Sequence, residues 1–233
     1  MKYRHELKYL INYQNYVLTK LRLRSVMPTD ANVDIDGSYS VRSLYFDDYY
    51  NHAYNDKFAG VQNRSKYRIR IYNYAEKTLH LEKKIKSGLY NHKQTASLTK
   101  SQFYDIVQGD CEFLLKSPLN LLQIFYHECM SNFMRPRIIV DYEREPYTME
   151  AGDVRITFDK NVRAGLKGFD IFDNSIPTME TLDPGLVIME VKFTEFLPNV
   201  IRRILPSNAA EYLALSKYIL CCDKTLHKQI TNI

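Results

Sequence analysis

The segment Lys66-Tyr-Arg-Ile-Arg-Ile-Tyr72 constrains the fold most, because charge and apolar bulk alternate in it residue by residue. Successive side chains point to opposite faces of a strand, so Lys66, Arg68 and Arg70 share one face while Tyr67, Ile69 and Ile71 share the other. The rhythm returns in the next segment, where Glu82, Lys84 and Lys86 stand against Leu79, Leu81, Lys83 and Ile85. It returns again where Ile188, Glu190, Lys192 and Thr194 alternate with Val187, Met189, Val191 and Phe193. A period of two specifies strands rather than helices. The chain therefore builds a sheet whose polar face recurs strand after strand.

A polar face ordinarily lies in solvent. Solvated faces mix signs, because like charges directly opposite on neighbouring strands are destabilising. Here Lys66, Arg68, Arg70, Lys84, Lys86, Arg144, Arg155 and Lys192 cluster in phase, against the few acids Glu82, Glu190 and Asp159. A polyanion would complete such a face, and arginine suits a flat, bidentate partner such as phosphate. If the sheet closes with its apolar side outward, these cations line an interior that water, acids and phosphates must fill. Glu6, Glu82 and Glu190 are then candidate ligands for Mg²⁺ or Mn²⁺, which prefer carboxylate and phosphate oxygens.

The pattern predicts a strand over 3–11, a helix over 12–25 stopped before Pro28, and strands over 39–46, 65–74 and 78–86, the last two joined as a hairpin through Ala75-Glu-Lys77. Helices follow from the cap at Thr99 and from Ser117-Pro118, then strands over 136–144, 154–163 and 186–194, and a last helix over 208–222. No repeat or linker interrupts the order. The expectation is a single α+β domain over 1–233, on a mainly antiparallel sheet large enough to close.

Several classes fall away. Eight glycines leave no GxGxxG or GxxxxGK[ST], so a phosphate site must come from side chains. Cys111, Cys129, Cys221 and Cys222 form no CxxC pair and read as reduced, buried thiols. The charged start of the chain and the lack of ~18 consecutive apolar residues predict a cytoplasmic protein. The histidines are scattered, and none joins a nucleophile constellation. The net charge of +5 suits an anionic partner. Nucleic acid is disfavoured, since the basic residues alternate with apolar ones and the 19 tyrosines form no stacking platform.

The ordered segments Arg4-His-Glu-Leu-Lys-Tyr9, Tyr45-Phe-Asp47, Lys66-Tyr-Arg-Ile-Arg70, Leu81-Glu-Lys-Lys84, Tyr142-Glu-Arg144, Arg155-Ile-Thr-Phe-Asp159, Met189-Glu-Val-Lys192 and Leu215-Ser-Lys-Tyr218 resemble the VTC-type polyphosphate polymerase domain. That family belongs to the triphosphate tunnel metalloenzymes, related to CYTH phosphatases. The resemblance implies a closed antiparallel β-barrel tunnel of about eight strands flanked by helices. It implies transfer of the terminal phosphoryl group of ATP onto inorganic polyphosphate, with Mn²⁺ or Mg²⁺. Carried over, Lys8, Arg68, Arg70, Lys84, Arg144 and Arg155 contact phosphate, Glu190 is the principal metal ligand, and Lys192 is its same-strand neighbour. Tyr142 and Lys217 are wall residues, and Lys66 and Lys93 join the substrate-binding set. Lys57 stands where an arginine is common and Lys86 where a histidine occurs in eukaryotic members; both keep a donor.

A metal-dependent triphosphatase of the same fold and a non-catalytic polyphosphate-binding module are the alternatives. A triphosphatase would need a carboxylate to orient water, for which Glu6, Glu82 and Glu190 are the candidates. The family also implies a membrane protein acting in trans. Oligomeric state stays open.

Overall fold

A computed structural model describes residues 5–30, 33–88, 90–206 and 215–230, the last four without their side chains. The elements are β1 (His5–Asn12), α1 (Tyr13–Arg24), β2 (Tyr39–Asp47), α2 (His52–Phe58), β3 (Asn63–Tyr72), β4 (Ala75–Ser87), β5 (Tyr90–Ser97), α3 (Lys100–Gln108), α4 (Glu112–Leu115), α5 (Asn120–Ser131), β6 (Arg135–Met149), β7 (Val154–Gly165), β8 (Thr178–Glu180), β9 (Leu186–Phe193), α6 (Asn199–Ile204) and α7 (Lys217–Ile230). The fold is α+β with a large antiparallel sheet. Among the described residues, no helix is long and apolar enough to cross a membrane.

The strands are hydrogen-bonded in the order β1-β9-β7-β6-β2-β3-β4-β5, with β8 beside β7. That path is open: among the described residues nothing joins β1 to β5, so the expected closed barrel is not formed. The character of β5 explains an open end. Of its eight residues Tyr-Asn-His-Lys-Gln-Thr-Ala-Ser only Ala96 is buried, and a polar, charged edge discourages further pairing.

The chain divides into two compact units. The first comprises Met1–Ser40, Tyr142–Val162 and Glu180–Ser216. Its core packs Ile11, Ile156, Phe158, Met189 and Val191 from the strands with Tyr16 and Leu23 of α1 and Ile201 of α6. The second comprises Val41–Asp141, Arg163–Met179 and Lys217–Ile233. There Leu44, Phe46, Tyr67, Ile69, Ile71 and Leu81 meet Phe103 of α3 and Phe125 of α5. In each unit the apolar parity of the strands lies under helices, which fixes the charged parity on the other face.

Local chemistry explains several boundaries. Asn12 caps α1, its side chain accepting from Asn15 N at 2.8 Å. Thr99 and Gln102 form a reciprocal capping box on α3. Ser117 does not cap α5 as expected; its hydroxyl accepts from Leu119 N at 3.2 Å, and the helix begins at Asn120. The β3–β4 turn is Asn73-Tyr74, both at positive φ, two residues before the expected connection. A primed turn matches the strands' twist, and the Tyr74 ring is held under the Arg42 guanidinium at 4.6 Å. The expected helix over 208–222 falls partly on 207–214, outside the described residues; α7 itself starts at Lys217. The four cysteines are free and buried.

Candidate functional site

In the second unit the register sets the charged face in rows. Lys66 lies opposite Lys84, and Lys84 opposite Lys93, so three ammonium groups share one line across β3, β4 and β5. Cations so placed repel one another. The next row is Tyr45, Arg68, Glu82 and Thr95, and the next Ser43, Arg70, His80 and Ser97. Arg64, Lys86 and Asn91 form the row on the other side of the lysines.

Glu82 organises this face. Arg68 Nε donates to it at 2.7 Å and Lys93 Nζ at 2.9 Å, while Arg70 Nη1 lies 3.9 Å away. Burial pushes the Glu82 carboxyl up, but Arg68, Arg70 and Lys93 outweigh it and hold the group far below the usual carboxylate range. Arg68 Nη1 also donates to the Tyr45 hydroxyl at 2.8 Å, and Arg70 Nε to Ser43 at 3.1 Å. Burial alone would raise the Tyr45 phenol; Arg68, Arg70 and Lys217 together lower it. The guanidinium groups are thus aimed by a carboxylate, a phenol and a hydroxyl.

The first unit holds a second set. Glu6 lies opposite Lys192, and Lys192 opposite Arg155; one row along, Lys8, Glu190 and Thr157 align. Glu190 carries ion pairs to Lys192 at 3.2 Å, Lys8 at 3.6 Å and Arg144 at 3.8 Å. Glu6 pairs with Lys8 at 3.6 Å and Lys192 at 3.8 Å. Arg144 forks onto the fully buried Asp159 at 2.6 and 2.7 Å, with Tyr142 under its guanidinium at 5.2 Å. Burial works against the Arg144 charge, yet Asp159, Tyr142 and Glu190 raise its pKa. Lys192 shifts the other way: burial lowers its ammonium despite Glu190 and Glu6.

Arg155 is held at the rim of this set. Its Nη2 pairs with Asp30 at 2.9 Å and donates to Tyr39 at 3.1 Å. Asp30 lies outside the strands and Tyr39 only opens β2, so the alternating segments give no sign of their part.

Residues 3–226 match the family model of the VTC domain. The chain belongs to the VTC domain family. None of the curated proteins matches it. The VTC domain here is similar to a solved Hippeastrum structure, named for adenylyl cyclase and described as revealing a dominant triphosphatase activity. The two share 13% identity over 96% of each chain with a TM-score of 0.52, which shows the fold. The PH1819 protein from Pyrococcus horikoshii OT3 is 12% identical, over 95% of this chain and 99% of that one, at a TM-score of 0.49.

The remaining expected residues of this VTC domain lie in the second unit. Lys57 is half-buried on α2, and Lys217 is the first residue of α7. Tyr218 follows it, fully buried, and stacks on Tyr45 with ring centroids 5.1 Å apart. Period-two alternation finds strand residues and the family resemblance reaches Lys57 and Lys217; that Asp47, Tyr54 and Tyr218 join α2 and α7 to the end of β2 needed the fold.

The resemblance set out above implies a divalent cation, and the donors decide how one fits. Among the described residues no group of three or more His, Cys, Asp or Glu side chains could hold a metal by itself. Asp159 and Glu82 are already engaged by close arginine bonds. Glu190 and Glu6 meet their cations at the longer distances given above. These carboxylates fit a cation that shares its coordination with phosphate oxygens, as Mg²⁺ commonly does.

Proposed function

We propose that the charged strand faces bind the phosphates of ATP and of inorganic polyphosphate, and that the protein transfers the terminal phosphoryl group of ATP onto the growing polyphosphate chain. The observation that carries this reading is the line Lys66, Lys84, Lys93 beside Arg68 and Arg70. Cations placed opposite one another in a half-buried sheet repel, and an anion of several charges relieves that repulsion. A chain of phosphates supplies such an anion, and membership of the VTC domain family supports that ligand class.

Phosphoryl transfer asks little covalent chemistry of a protein, mostly alignment and neutralisation of the equatorial oxygens. A terminal oxygen of polyphosphate bonds to the γ-phosphorus as the bond to the bridging oxygen breaks, and ADP leaves with that electron pair. The acceptor is already ionised, so no general base is needed. In this reading Arg68, Arg70, Lys84, Arg144 and Arg155 hold reacting phosphates, while Lys8, Lys57, Lys66, Lys86, Lys93, Lys192 and Lys217, with Tyr142, hold the chain. Glu190, with Glu6, would hold Mn²⁺ or Mg²⁺ at phosphate oxygens, and the cation would supply further charge neutralisation there. Glu82 serves instead to aim Arg68 and Arg70. A cytoplasmic setting beside a membrane protein that receives the product belongs to the same reading.

Incubation of the purified protein with ATP and Mn²⁺ tests it. A ladder of phosphate chains on a gel is expected, lost in both Arg68→Ala and Glu190→Ala. Orthophosphate release without chains would make the protein a triphosphatase and overturn the polymerase reading. Full activity in both variants would remove the strand faces from the chemistry.

A further inference from the structure

The Asp47 carboxylate is buried at the end of β2 and is fully used. Its Oδ1 accepts from Ala53 N at 2.9 Å and Asp48 N at 3.0 Å; its Oδ2 accepts from Tyr54 N at 3.1 Å and from the Tyr218 hydroxyl at 2.5 Å. With Asp48, whose Oδ1 accepts from His52 N at 2.9 Å, it supplies the cap that α2 lacks, since the residue at the cap position, Asn51, sits at a φ of 55° with no side-chain bond to the helix. Through Tyr218 the same carboxylate seats the first turn of α7. A second bond ties the two helices, Tyr54 hydroxyl to Asp223 at 2.5 Å.

The Tyr218 ring lies on Tyr45, whose hydroxyl takes the Arg68 bond. Lys217, next in the chain, acts electrostatically on that same phenol. One carboxylate thus fixes the helix that carries Lys57, the helix turn that carries Lys217, and the ring on which Arg68 rests. Tyr218 is too deeply buried to meet a ligand itself.

We propose that Asp47, through the Tyr218 hydroxyl, is a positioning residue that holds Lys217 against the Tyr45–Arg68 wall, so that phosphate affinity depends on a hydrogen bond that touches no phosphate. The inference rests on the phosphate-binding reading of that wall and adds to it the means by which Lys217 is presented.

Binding of inorganic tripolyphosphate, measured by calorimetry, tests it with four proteins: unmodified, Tyr218→Phe, Lys217→Ala and the double variant. Phenylalanine keeps the stack on Tyr45 and removes only the hydroxyl. About tenfold weaker binding is expected in Tyr218→Phe, and less than twofold further loss when the same change is made in Lys217→Ala, because the bond acts through that lysine. Asp47→Asn, which keeps the volume of the side chain, is expected to repeat the dependence on Lys217 should Tyr218→Phe fail to fold. Independent, additive losses would overturn the inference while leaving the phosphate site standing. No binding by the unmodified protein would overturn the phosphate site and the inference together. A lower melting temperature with unchanged affinity would reduce Asp47 to a purely structural cap and also overturn it.

Discussion

Arg144 shows at the level of one residue why charge alone does not define a role. Alternation in the sequence marks it as a cation in phase with Arg155 and Lys192, and its fork onto Asp159 was legible only as two charges of opposite sign on nearby strands. In the structure Asp159 is fully buried and receives both guanidinium bonds. Removing one partner of a buried pair leaves the other charge stranded, at a cost of about 3–5 kcal/mol. Arg144→Ala should therefore lower the free energy of unfolding by about that much, read from urea denaturation, besides any loss of phosphoryl transfer. Arg144→Ala,Asp159→Ala should recover part of the stability and none of the transfer activity. If the single change leaves the urea midpoint unmoved, the pair does not act as a unit. The fork makes Asp159 a stabiliser of the arginine rather than a metal ligand, in keeping with the lack of a metal cluster among the described residues.

At the scale of elements, the strands with a buried parity were readable and the others were not. β3, β4 and β9 alternate, with Lys83 and Ile188 as exceptions, because one side of each lies under helices, and alternation is what a half-buried strand must show. β5 and α2 lack that constraint: α2 has no buried residue, so neither carries an apolar rhythm. The helix α1 is a third case. Its buried positions are Tyr16, Thr19 and Leu23, while the apolar Leu21 is 59% exposed. Lys20 is drawn in by charge: its ammonium lies 2.8 Å from the buried Glu145, which also pairs with Lys160 and accepts from Tyr16 at 2.7 Å. Burial pushes the Glu145 carboxyl up, but Lys160, Lys20 and Tyr16 bring it below the usual range. A carboxylate depressed in the folded state stabilises the fold above its unfolded pKa of about 4.3. That contribution declines as pH falls below this value toward the lower folded pKa. Glu145→Gln should cost about 2–4 kcal/mol at neutral pH. Its deficit should shrink on acidification, so that the two proteins' unfolding curves converge. A deficit that stays constant from neutral pH down to the acid limb would show that the ion pairs, unlike the packing, contribute nothing.

The whole molecule carries a net charge of only +5, with 32 basic and 27 acidic residues, and the distribution matters more than the sum. Acids such as Asp141, buried 2.6 Å from Arg42, and Glu145, 2.8 Å from Lys20 of α1, are engaged away from the lysine rows. The open ladder changes one consequence of the sequence reading. A closed barrel would enclose these cations in an interior that water, acids and phosphates must fill; the rows at Lys66–Lys84–Lys93 instead form beside an edge strand, where Lys93 remains half exposed to water. Water screening makes their repulsion tolerable without ligand and leaves an anion much to gain. A ligand that binds only the folded chain stabilises it by RT ln(1 + [L]/Kd), about 2.7 kcal/mol at a hundredfold excess over Kd. Inorganic tripolyphosphate should therefore raise the melting temperature, and the gain should fall steadily as salt is added, because the rows are partly solvated. A single-stranded oligonucleotide carrying the same number of phosphates should give a much smaller gain. Its phosphates are spaced by sugars, while the cations stand one strand apart, about 4.8 Å, a spacing that a contiguous phosphate chain can follow. Equal protection by the two ligands at equal charge would mean that the face recognises charge density and nothing finer, and the protein would then belong with nucleic-acid binders rather than with enzymes of phosphate chains.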